Sequence, residues 1–174
     1  MSVKGDYSPE EWDLLRGAVI GASVAVMLAD LQSGITGLVR EQTAFAKILA
    51  AGVQLEPGNT LVAALAQPGE WRRADVEDAV KVEGSSQKEA AAEALGSGRD
   101  RCARAADLLD SRSTPEEADG YRRWVMGAAE ATARAAKEGT LLRGGPRISA
   151  AEADVLAELG AAIRWEGYVA PPVG

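Results

Sequence analysis

Along this chain apolar side chains recur at helical spacing, and nowhere do they alternate at the period of two that a half-buried strand requires. The strongest such stretch, Gly17 to Ala29, carries no charge between Arg16 and Asp30 and is apolar on every face. A helix of that kind belongs inside a bundle. It would be about 20 Å long, short of the roughly 30 Å of a bilayer's hydrocarbon core, so no membrane span is expected. Burying Val19, Ile20, Val24, Val26, Met27 and Leu28 contributes roughly 1.5 to 3 kcal/mol each. Gly17, Gly21 and Ala25 form a smooth seam for close approach by another helix.

Cap residues set the remaining elements. Ser8-Pro9-Glu10-Glu11 opens the first helix, which runs from Pro9 to about Leu31. After Gln32-Ser33-Gly34 a second helix reaches about Ala51, forming an αα-hairpin with the first. Asn59 caps a short helix through Ala66, and a further short stretch spans Asp75 to Val82. Ser86 and Glu89 open an Ala-rich segment, in which Gly96-Ser97-Gly98 predicts a break or kink before Asp100 to Ser111. Thr114-Pro115-Glu116-Glu117 repeats the first entry signal. Its helix, to about Lys137, places Tyr121, Trp124, Val125, Ala128, Ala131, Thr132 and Ala135 on one face. Ser149 and Glu152 open a last helix to about Trp165, and 171–174 reads as a flexible tail.

Shifting the chain by 106 residues superposes Pro9-Glu10-Glu11 on Pro115-Glu116-Glu117, and Gly21, Ala22, Ala25 and Ala29 on Gly127, Ala128, Ala131 and Ala135. The expected fold is therefore all-α: one domain over 1–170, a bundle of about six to seven helices, arranged as two pseudo-repeated hairpins or as a chance likeness in an Ala-rich chain.

Composition narrows the chemistry. At 174 residues and 47% hydrophobic content the chain can bury one core. A net charge of -7 opposes affinity for nucleic acid or anionic lipid. The single cysteine, Cys102, and the lack of a signal-like start point to the cytoplasm. Without histidine there is no His-dependent triad, Glu-x-x-His di-iron site or Cys/His zinc site.

The run Ser-Pro-Glu-Glu-Trp, the apolar helix ending Met-Leu-Ala-Asp, then Thr-Pro-Glu-Glu, Trp124, Ala-Ala-Lys-Glu-Gly and Ile148-Ser149-Ala150-Ala151-Glu152 resemble a group of small bacterial helical proteins. More remotely the chain is similar to the TerB-like domains of tellurite-resistance systems. That resemblance implies a helical bundle with acidic loops, which would fall at Asp30 to Gly34 and at Glu138 to Gly139. The Asp-Gly dipeptide of those loops is missing at both places.

Four features carry candidate chemistry. Asp30 stands at the negative end of the buried helix's dipole, and Glu41 lies on the inward face of the next helix with Leu38 and Phe45. Together they would hold Mg²⁺ or Ca²⁺; otherwise Asp30 caps or faces water and Glu41 pairs with an arginine. No other cofactor is implied. Arg143 and Arg147 flank Gly144-Gly145 just before the last helix, suiting a phosphate or carboxylate ligand or simply offsetting an acidic surface. Tyr121 and Trp124 are candidate ligand-binding aromatics, against the reading that Trp12, Trp71, Trp124 and Trp165 anchor the core. No catalytic residue is assigned, and Cys102 reads as a small core residue. The leading expectation is a helical binding or accessory module for a partner protein or small ligand, monomeric or homodimeric. The alternative is a His-free enzyme or ligand carrier with a pocket between hairpins, using Asp30, Glu41, Tyr121 or Cys102.

Overall fold

The computed structural model describes residues 4–29, 54, 56–71, 86–138 and 148–173. Among these the fold is all-α, with five α-helices: α1 Pro9–Ala29, α2 Thr60–Leu65, α3 Gln87–Arg112, α4 Pro115–Glu138 and α5 Ala150–Ala162. Short 3-10 turns at Lys4–Asp6 and Pro68–Glu70 precede α1 and follow α2. The expected helix to Ala51, the stretch Asp75 to Val82 and the loop 139–147 lie outside the described residues.

The cap chemistry sets the helix starts. Ser8 accepts from the Glu11 amide while Glu11 returns a bond to the Ser8 amide, and Ser149 and Glu152 do the same at α5. Asn59 and Ser86 accept from the amides of Val62 and Glu89. Arg164, in the left-handed region at φ 60°, stands just beyond α5, which stops short of Trp165.

α1 is the axis of the molecule. It packs most extensively on α3, then on α4, then on α5. Its apolarity on all sides has two destinations: Trp12, Leu15, Val19, Ala22 and Val26 join the main core, while Ile20, Val24 and Leu28 form a second cluster with Ala94. α3 runs antiparallel to α1, with Arg112 paired to Glu11, Arg101 beside Gly17, and Gly98 against Gly21. A Cβ on Gly98 would lie 2.9 Å from the Gly21 carbonyl oxygen, so here the two backbones touch. This corrects the expected interruption at Gly96-Ser97-Gly98: α3 is one continuous helix, and Gly98 serves the crossing. Helix hydrogen bonds continue through a glycine when a neighbouring helix needs the space its side chain would occupy.

α4 runs parallel to α1. Tyr7 and Ser113 share a hydrogen bond at 3.1 Å, and Tyr121 donates to the Leu15 carbonyl at 2.6 Å, each pair separated by the same 106 residues. α4 is buried more widely than a single stripe, since Arg122, Met126, Ala129 and Ala133 are enclosed along with Tyr121, Trp124, Val125 and Ala128. α5 lies along α3, where Arg99 pairs with Glu158 and Arg164 reaches Asp107 and Asp110. Beyond it Tyr168 folds over Gly160, and Val173 bridges Ile148.

Candidate functional site

The first turns of α1 bring Trp12, Leu15 and Arg16 to one side, because positions three and four apart share a helix face. Opposite them the turn Pro68–Glu70 delivers Glu70, whose carboxylate accepts the Trp12 indole N–H at 2.7 Å. Trp71 is turned inward by its own indole, which donates to the Leu65 carbonyl at 2.6 Å. From α4, Tyr121 and Trp124 complete the wall. Trp124 lies edge-on to Tyr121 at 6.0 Å and to Trp71 at 6.2 Å, the quadrupole-favoured arrangement.

Outside this aromatic layer is a charged one. The Lys4 ammonium donates to both oxygens of Glu70, at 2.8 and 2.9 Å, and stands 5.8 Å from the centroid of the Trp12 ring. Arg16 lies over Trp71 at 5.7 Å. Trp12 and Trp71 thus each carry a cation on the ring face, a contact worth roughly 0.5 to 2 kcal/mol according to exposure. Burial pushes the Glu70 pKa upward, but the hydrogen bonds from Lys4 and Trp12 and the charges of Lys4 and Arg16 outweigh it and hold the carboxyl below its ordinary value. Glu70 is therefore an anion at neutral pH, fixed in place by an indole.

The chain matches no known family. No curated protein or solved structure matches it either. Of the residues singled out in the sequence, Tyr121 and Trp124 are adjacent, and both are enclosed in the core. Asp30, Glu41, Arg143 and Arg147 lie outside the described residues. Among the described residues no three His, Cys, Asp or Glu side chains group to hold a metal ion.

Elsewhere among the described residues, Cys102 and the surroundings of Arg122 also hold reactive or polar groups. Cys102 is buried beneath α1, and burial pushes its thiol up to about 12. Burial also drives the Tyr121 phenol well above its ordinary value, with Cys102 and Tyr7 nearby adding to it. At neutral pH both stay protonated. At the joint of α3, α4 and α5, Arg122 donates to the Ile163 carbonyl, Asp110 and Asp119, while Asp110 also takes Arg164. That network closes a helix end and ties three helices together.

Lys4, Arg16 and Glu70 are not among the candidate site residues that the sequence offers, and Trp12 is weighed there as a core anchor against an aromatic ligand cage. Pro68-Gly69-Glu70-Trp71 reads there only as a helix stop, and nothing local says that Glu70 meets a residue of the first helix. The one usable signal is the spacing of Trp12 and Arg16, which places an aromatic and a cation on one face.

Proposed function

We propose that this chain is a cytoplasmic, non-catalytic helical binding or accessory module that receives a partner protein or small ligand at the aromatic and charged end of α1. The observation that carries this reading is the pairing of a fixed carboxylate, Glu70, with an indole face, Trp12, under a cation that comes from the chain itself. Such a combination recognises positively charged groups. The TerB-like resemblance of the capping and packing motifs is what supports a role in a bacterial stress or accessory system. Nucleic acid does not fit the net charge of -7.

The finer architecture belongs to the same reading. We take α1 and α4 as the leading helices of two duplicated hairpins in a bundle of about six to seven helices. The same 106-residue offset between hydrogen-bonded partners at the entry of the two helices and along them, Tyr7 with Ser113 and Leu15 with Tyr121, supports it. Against an enzyme that uses Cys102 and Tyr121 stands their burial in the core, which keeps both protonated at neutral pH. The other two residues of that alternative, Asp30 and Glu41, also form the proposed Ca²⁺ or Mg²⁺ site, for which thermal unfolding of wild type and Asp30→Asn with millimolar cation is the test. A rise in the wild-type transition that Asp30→Asn abolishes supports the cation; no rise removes it.

Native mass spectrometry of protein purified from its host tests the binding role, because it reads retained molecules and subunit number together. A bound small molecule or a second protein, in whole-number ratio, is the expected result. A bare monomer from every growth condition would overturn it.

A further inference from the structure

We propose that Trp12 and Glu70 form a receptor for a primary ammonium group, and that Lys4 occupies it as a built-in competitor. The proposal rests on the binding reading above and names its ligand class. Three observations lead to it. Glu70 is held by the Trp12 indole at 2.7 Å, a bond that does not involve Lys4, so the acceptor stays aimed when Lys4 leaves. The Lys4 ammonium uses both carboxylate oxygens and faces the ring, contacts that an alkylammonium of any origin can reproduce. The occupant is the exposed part of the arrangement, open to exchange with solvent: the Lys4 side chain is 60% exposed, while that of Glu70 is 16% exposed.

The location of Lys4 suits a removable lid. It belongs to a single 3-10 turn ahead of α1, held to the helix entry by the Tyr7 amide on the Lys4 carbonyl at 3.3 Å. A tethered competitor acts at an effective concentration of the order of millimolar. A free monoamine at lower concentration therefore loses to it, whereas a lysine side chain presented with further contacts displaces it. Because Glu70 accepts N–H bonds and only one ring face is offered, the site selects ammonium groups that donate. A quaternary ammonium keeps the charge but has no N–H to give.

The experiment releases the site and refills it. In Lys4→Ala and Lys4→Gln, the Trp12 indole N–H resonance is followed by ¹H–¹⁵N NMR during titration with n-butylammonium, with tetramethylammonium, and with a blocked peptide carrying one lysine. The expected result is a saturable shift with butylammonium at concentrations about ten-fold below those wild type requires. The shift should vanish when Glu70→Gln is added and be absent with tetramethylammonium. Tighter binding of the peptide assigns a protein lysine as the source, and equal binding assigns a free amine; both support the receptor. No saturable shift in either Lys4 variant, or the same shift after Glu70→Gln, overturns it. Since ligand is added to purified protein, this result is independent of whether host material retains a molecule in native mass spectrometry.

Discussion

Gly98 and Gly96 stand two residues apart in one helix, yet they answer to different constraints. A Cβ at Gly98 would meet the Gly21 carbonyl oxygen at 2.9 Å and its carbon at 3.2 Å, and backbone cannot swing away. A Cβ at Gly96 would meet nothing within 4 Å. Gly98→Ala should therefore destabilise by roughly 1 to 3 kcal/mol through overpacking, while Gly96→Ala stabilises by about 0.5 to 1 kcal/mol through helix propensity. Urea unfolding of the two variants checks the opposite signs. The same crossing makes Gly21→Leu a damaging change. Burial also decides reactivity at single residues: Cys102, with its thiol pushed up to about 12, should resist iodoacetamide in the native state and react once urea unfolds the chain. Fast native alkylation would mean that the core beneath α1 opens readily.

At the scale of elements, caps and ion pairs decide where helices begin and how they are held. Ser149→Ala removes one half of a two-way capping box and should cost about 1 kcal/mol. Asp110 ties α5 to α3 and α4. The Arg164 hydrogen bond, opposed by burial and reinforced by Arg122, holds its carboxyl below the ordinary 3.8, and Glu70 is likewise held below 4.5. Groups whose pKa is lowered by folding add stability that is present above the unfolded value and lost as pH falls through the folded one. The gap in urea midpoint between wild type and Asp110→Asn should thus be wide near pH 7 and shrink toward about pH 3. A gap independent of pH would show that the Asp110 charge does not hold the joint.

These starts were legible in the sequence because caps are local: Ser8, Asn59, Ser86 and Ser149 announce their helices within four residues. The continuity of α3 was not, because Gly98 is explained only by Gly21, far away in the chain. Glu70 was illegible for the same reason, its meaning supplied by Trp12, 58 positions earlier. Tyr121 and Trp124 were legible as neighbours on one helix face and as candidate ligand-binding aromatics, but not as enclosed residues forming the inner wall of a charged surface.

For the whole molecule, α1 is both the longest apolar segment and the common partner of α3, α4 and α5. By length and composition it could cross a membrane, yet 67% of its most apolar stretch is buried within the fold. A helix enclosed by three others couples them, since withdrawing it would expose apolar surface on every partner at once. The tie to α4 is specific: the Tyr121 hydroxyl reaches the Leu15 carbonyl, and Tyr121→Phe should cost about 0.5 to 1.5 kcal/mol. If α1 couples the bundle, this local loss must lower one global transition. Thermal melts of wild type and Tyr121→Phe followed by far-UV circular dichroism, which reads all helices, and by tryptophan fluorescence, which reads the aromatic end through Trp12, Trp71 and Trp124 and α5's end through Trp165, should then coincide in each protein. Fluorescence changing at lower temperature than helicity would mean that one of these ends opens as a separate unit and that α1 does not bind the bundle into one cooperative core.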